Sequence, residues 1–219
     1  MKVFISAGHG GSDPGAVANG VKEKDLNLSI AKACRDLLVK HGVEVRMSRT
    51  KDENDPLSDE IRECNAYKPD LAVSIHNNAG GGDGAEVFHS HIGGKGKVLA
   101  ENILAEIVKV GQNSRGAKTR KNASGNDYYG FIRETSAPAV IVECAFVDNA
   151  QDVKIIASEA QRKAIGEAVA KGVLKTAGVE TRSEKLYRVQ VGAYLLKENA
   201  EDMKRKIKAV GFDAFIVRE

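Results

Sequence analysis

Two spacings of apolar residues alternate along this chain. Short runs that suit strands stand at Lys2–Ser6, Val43–Met47, Leu71–Ile75, Gly84–His91 and Ala139–Phe146. Leu71–Ile75 is almost wholly apolar, as a strand buried on both faces requires, whereas Val43–Met47 alternates. Between the runs, apolar positions fall at helical intervals. Residues 26, 30, 33, 34, 37 and 38 predict a helix over Leu26–Lys40, with Asp25 as its N-cap and Gly42 as its left-handed terminator. Leu57–Tyr67 predicts a short helix, Val98–Val110 an amphipathic one, and Ala150–Ala177 a last helical region. Asn113–Gly130 is polar and glycine-punctuated and reads as a loop. The alternation of strand and helix predicts an α/β fold: an open, mostly parallel sheet flanked by helices on both faces.

A polar break at residues 178–185 divides a domain over residues 1–177 from a tail over 186–219. In the tail, Tyr187–Ala193 alternates like a strand, Glu198–Val210 is helical, Gly211 stops it, and Asp213–Val217 reads as a second strand. This small βαβ module is too short to bury a satisfactory core by itself.

Composition narrows the function. The net charge of +3 comes from interspersed acids and bases. It does not form the concentrated basic patch of a nucleic-acid binder, and it tolerates an anionic polymer such as a bacterial wall. Cys34, Cys64 and Cys144 are three, scattered, and in no C-x-x-C spacing, so they read as buried small hydrophobes rather than a disulfide framework or a catalytic thiol. The start of the chain lacks a signal-peptide pattern, and no run reaches membrane-spanning length. The expectation is synthesis in the cytoplasm, no membrane partner, and action on the wall only after lysis or a membrane breach.

The candidate chemistry gathers where strands end. His9 follows the first strand in Ala7-Gly-His-Gly-Gly-Ser-Asp-Pro-Gly-Ala16, and His76 ends the apolar run from Leu71. Glu143 closes the apolar stretch Ala139–Val142, where a carboxylate is costly unless paired, metal-bound or protonated. In a parallel sheet all three lie at the carboxyl edge, where open α/β sheets bind ligands. Glu23 projects from a loop just ahead of the first helix. Two imidazoles and one carboxylate are a common ligand set for catalytic zinc, and a further glutamate can move the proton. His9, Glu23, His76 and Glu143 match those four roles. His89 and His91, two apart on a strand, could also meet a metal, though a solvent-facing strand end explains them as well. Alternation places Cys144 on the face opposite Glu143, away from this chemistry.

Several motifs in order then resemble one family. Residues 8–16 (GHGGSDPGA), 23–28 (EKDLNL), 48–52, Ile61–Ala66, 74–79 (SIHNNA), Gly84-Ala85 and 138–146 (PAVIVECAF) with Asn149 are similar to the zinc-dependent N-acetylmuramoyl-L-alanine amidases of the Amidase_3 type. The resemblance covers residues 2 to 176. It implies zinc held by His9, Glu23 and His76, with Glu143 as catalytic acid/base. It further implies cleavage of the amide between the lactyl group of N-acetylmuramic acid and the first L-alanine of the stem peptide. Ala145 stands where the family often has glycine, and touches none of those roles. No insertion matches the family's autoinhibitory helix, so an open cleft is expected. Asn78, Arg115 and Arg133 are the candidate substrate contacts. The tail resembles half of a SPOR-type peptidoglycan-binding domain through Val189-Gln-Val-Gly-Ala-Tyr194, which suggests wall binding and a homodimer formed through paired tails. Such a lysin would serve a phage as an endolysin or a mother cell in sporulation. The alternatives are a zinc peptidase acting on the stem peptide and a catalytically idle wall-binding protein.

Overall fold

The computed structural model describes residues 1–179 and 189–218. The chain divides into two compact units, Met1–Thr181 and Arg182–Glu219. In the first, chain order runs β1 (Lys2–Ala7), a hairpin of β2 (Val17–Ala18) and β3 (Val21–Lys22), α1 (Glu23–Lys40), β4 (Glu44–Met47), α2 (Leu57–Tyr67), β5 (Leu71–Asn78), β6 (Ala85–His89), α3 (Gly94–Lys109), β7 (Ser114–Lys118), α4 (Gly130–Glu134), β8 (Ala139–Phe146), α5 (Ala150–Ile156) and α6 (Glu159–Thr176). The main sheet has the order β4-β1-β5-β8-β6-β7. The first four of these strands are parallel; β6 runs antiparallel to β8, and β7 is parallel to β6. The α/β expectation holds, with a reversed pair at one edge.

The central strands are apolar at nearly every position because both faces are covered. Val3, Ile5, Val73, Ile75, Val87, Val140, Val142 and Cys144 pack into the larger core with residues of α1, α3 and α6. Phe4, Ala72, Phe88 and Ile141 point the other way, onto Cys64 of α2 and Phe131 and Ile132 of α4. Each large aliphatic or aromatic residue so buried contributes about 1.5–3 kcal/mol, which makes the ends of β1, β5 and β8 a rigid ledge. The three cysteines are buried, as expected. Burial holds the thiols of Cys34, Cys64 and Cys144 far from ionisation, so none is a nucleophile.

Several boundaries differ from the reading of the sequence. Helix α1 starts at Glu23; its N-cap is Lys22, without a side-chain bond, and Asp25 is an exposed first-turn residue rather than a cap. The first turn turns polar groups toward the sheet edge, so apolar spacing cannot register it. Within the segment read as a loop, residues 114–118 form β7, an edge strand, whose solvent side tolerates a polar sequence. The last helical region is two helices, and Ser158 opens the second in a capping box with Gln161. Strand β6 stops at His89, so His91 lies beyond it and strand alternation does not bring the two histidines to one face.

In the second unit, α7 (Lys197–Ala209) is the one regular element among the described residues. Residues 189–193 and 213–217 form no ladder there, while 187 and 188 fall outside the described residues, as do 180–185 of the expected linker. A single strand–helix–strand segment gives neither strand a sheet to join. Helix α7 buries none of its residues, and Val191, Leu195, Leu196, Phe212 and Phe215 are exposed. Among the described residues no helix is long and apolar enough to cross a membrane.

Candidate active site

Two loops, one helix end and two strand ends meet on the ledge. The β1–β2 loop carries His9, which sits at φ 63°, a left-handed conformation costly for a side-chain-bearing residue. Reciprocal backbone bonds between Gly10 and Asp13 (2.9 and 3.0 Å) hold that loop. So does the acidic loop after β4: Asp52 accepts from Gly11 N and Lys24 Nζ at 2.7 Å each, and Asn54 accepts from Ser12 N at 2.8 Å. Beneath them the buried Arg49 donates to the carbonyls of Ala7, Gly8, Lys24 and Lys51. One guanidinium thus ties the His9 loop to the first turn of α1.

Glu23, the first residue of α1, points across to both histidines. Its Oε2 lies 3.2 Å from His9 Nε2, and its Oε1 lies 3.0 Å from His76 Nδ1. It also accepts from Ala16 N, Asn27 Nδ2 and Asn77 N. The β5–β8 register shifts between His76 and Asn78, and Asn77 turns its N–H to Glu23 at that irregularity. The imidazoles stand edge to face, 5.0 Å between centroids. Gly8 leaves room for them: a Cβ there would lie 2.1 Å from His76 Cε1. Donor atoms of His9, Glu23 and His76 all fall within 4.8 Å of one another, the only such His/Cys/Asp/Glu group among the described residues.

Electrostatics follow from this contact. The hydrogen bond to Glu23 raises His9 to about 9, with Asp13 adding to it against the effect of burial. Burial opposes the charge on Glu23, but the hydrogen bonds from His76 and His9 outweigh it and hold the carboxyl below its ordinary range. Position at a helix N-terminus favours the same charge.

Glu143 is the register partner of His76 on the adjacent strand. Its Oε2 is buried and has no hydrogen-bond partner among the described residues. Burial raises its carboxyl to about 7, only partly offset by His76, with Glu23 and Glu86 adding to the rise. A carboxyl poised there can hold or release a proton near neutrality.

The remaining candidates have other bonding partners. Asn78 donates to Glu86 Oε1 at 2.9 Å, and Arg115 to Glu86 Oε2 at 2.9 Å. Arg133 donates to the carbonyls of Asp127 and Tyr128 and to the Glu134 carboxylate, which fixes the loop before α4. His89 is buried against the Ser90 carbonyl, and His91 is bonded to Asp127. Because β6 is antiparallel, His89 pairs with Val140, three positions from Glu143. The two histidines are therefore not a metal pair. Asp13, Asn27, Asn77, Arg49 and Glu86 are site residues that the sequence reading did not single out. Asn27 had a signal: it lies four residues after Glu23, one helical turn away.

Such a site, a titratable carboxyl beside a cluster of donors at the carboxyl edge of an open α/β sheet, fits a hydrolase of α/β type. The chain belongs to the N-acetylmuramoyl-L-alanine amidase family, whose profile matches residues 3–175, and it is accordingly a peptidoglycan hydrolase. It is 36% identical to the N-acetylmuramoyl-L-alanine amidase CwlM of Bacillus licheniformis, over 99% of this chain and 85% of that one. To the sporulation-specific N-acetylmuramoyl-L-alanine amidase of Bacillus subtilis (strain 168) it is 34% identical, over 99% of this chain and 84% of that one. Among solved structures, Cwp6 from Clostridium difficile superimposes with a TM-score of 0.79 at 36% identity, over 80% of this chain and 29% of that chain. The SPOR domain profile matches residues 139–218. The start of that match is β8, an interior strand of the main sheet, so only its later part lies in the tail.

Proposed function

We propose that this amidase is zinc-dependent, with His9, Glu23 and His76 holding one ion and Glu143 acting as acid and base. The observation that carries the reading is a three-donor cluster directly beside a carboxyl whose buried Oε2 has no hydrogen-bond partner among the described residues. The donor set fits: two imidazoles and a carboxylate are what a catalytic zinc site uses, with a position left open. When bound, zinc supplies Lewis acidity, acidifying water and polarising an amide carbonyl. The chain's own residues supply the rest. Asp13 Oδ2 lies 2.8 Å from His9 Nδ1, which fixes that ring with its Nε2 toward Glu23. Glu143 takes the proton from the attacking water and passes it to the alanine nitrogen as the lactyl–alanine amide breaks. Its raised proton affinity suits both transfers.

Exhaustive chelation is expected to abolish release of L-alanine-headed peptides from muropeptides, and one equivalent of zinc to restore it. Free stem peptide should remain uncut, which separates this activity from a peptidase. Full hydrolysis after chelation would sink the proposal. Zinc uptake should also release protons. Zinc needs neutral imidazole, and His9 stays protonated up to about 9 in the metal-free chain. At pH 7 calorimetry in buffers of different ionisation enthalpy should read that release, and affinity should fall as pH falls.

We propose further that the tail contacts the wall and pairs with the tail of a second copy. The likeness to SPOR domains and the exposed Val191, Leu195, Leu196, Phe212 and Phe215 support this. Light scattering should give a dimer; a monomer with a well-folded tail would count against pairing.

A further inference from the structure

Two cations of β7 converge on one carboxylate of β6 through a break in strand alternation. Arg115 and Lys118 are three residues apart, which on a regular strand sends them to opposite faces. Here Ala85 pairs with Ser114 but Val87 with Ala117, so β7 holds an extra residue. Gly116, at φ 92°, accommodates it. Both side chains then reach Glu86 Oε2, Arg115 through Nε at 2.9 Å and Lys118 through Nζ. Glu86 is buried, and its Cα is the register partner of Glu143. Arg115 lies over the Phe146 ring, 4.9 Å from its centroid.

This cluster exceeds what Glu86 needs. One cation would neutralise one carboxylate; two leave a net positive charge beside the reacting carboxyl. The side chains of Arg115 and Lys118 each remain 36% exposed. The Nη groups of Arg115 have no hydrogen-bond partner among the described residues. That leaves a planar, positioned fork, the geometry that binds a carboxylate through two parallel bonds.

We infer that Arg115, with Lys118, is the receptor for a free carboxylate on the peptide side of the scissile amide. The inference rests on Glu143 marking the bond that breaks. Neighbouring strands stand about 4.8 Å apart, so β7 lies about 10 Å from β8. Successive α-carbons are about 3.8 Å apart, which puts the second stem residue within that reach once alanine is seated. A second residue joined through its side-chain carboxyl carries its α-carboxyl either free or amidated. The cationic fork distinguishes the two.

The test uses matched muropeptides that differ only in that group, acid against primary amide. Wild type should favour the acid by about 10- to 100-fold in kcat/KM, the range of a hydrogen bond to an ion. Arg115→Ala should bring the ratio near one, and Lys118→Ala should lower it partway, with zinc content and melting temperature kept as controls of folding. Should Arg115→Ala fail to fold, Arg115→Gln retains a donor for Glu86 without the charge and should lose the preference too. Equal cleavage of both substrates by wild type overturns the inference, as does an unchanged ratio in the folded variants. Wild type that cuts neither substrate would sink the amidase reading itself, and this inference with it.

Discussion

Glu143→Gln should lower kcat on muropeptides by about 10²- to 10⁴-fold, the usual worth of a positioned acid and base. Glutamine keeps the shape and removes the proton traffic. The substitution leaves the His9–Glu23–His76 cluster intact, so zinc content should equal wild type. Stability supplies a second readout. In the metal-free chain the folded carboxyl titrates at about 7, above its unfolded value. The folded form therefore binds the extra proton between those values, and stability falls as pH rises through that window. Above it, wild type carries a charge whose buried Oε2 has no hydrogen-bond partner among the described residues, a cost that glutamine avoids. The melting temperature of metal-free Glu143→Gln at pH 8 should match or exceed wild type. A variant that loses zinc would make Glu143 a ligand; one that cuts at the wild-type rate would remove it from the mechanism.

Arg49→Ala should act through the scaffold and cost about 3–5 kcal/mol, as removal of one partner from a buried charged network does. Four carbonyls, those of Ala7, Gly8, Lys24 and Lys51, lose their donor together. Nearby Asp55, Asp52 and Glu60, which favour the guanidinium, lose their countercharge. At about 2–4 °C per kcal/mol for a domain of this size, the melting temperature should drop by about 10 °C. Zinc affinity should fall with it, because the arginine joins the His9 loop to the helix turn that carries Glu23. Arg49→Lys should rescue little, since an ammonium cannot reach four acceptors spread around a plane. Unchanged melting and metal affinity in Arg49→Ala would refute this account of the loop.

The sequence disclosed the ends of β1, β5 and β8 because buried strands leave long apolar runs, and a histidine or glutamate closing such a run stands out. It also disclosed α2 and the Gly42 terminator of α1. It concealed whatever depends on pairing. The reversed direction of β6 leaves no mark on composition, yet it moves His89 away from the site and brings Glu86 to Glu143. Strand β7 was concealed because an edge strand needs no apolar alternation, and its bulge scrambled what alternation there was. The start of α1 was misplaced for a functional reason: Glu23 and Asn27 use the inner face of the first turn for the cluster, where apolar residues would otherwise announce a helix. Arg49 read as one more charged loop residue, since sequence does not show that four carbonyls converge on it.

The reversed pair β6–β7 divides the labour of the site. His76 and Glu143 come from β5 and β8, in the interior of the sheet, and His9 and Glu23 from the loop after β1 and the start of α1, which pack against it. Arg115 and Lys118, the cations we infer to recognise the peptide, come from β7, an edge strand with one neighbour in the sheet. On that inference, changes in β7 would retune which wall chemistry is accepted while the bond-breaking apparatus stays fixed. A lineage facing a new cell wall has, in that strand, a part it can exchange without rebuilding the enzyme.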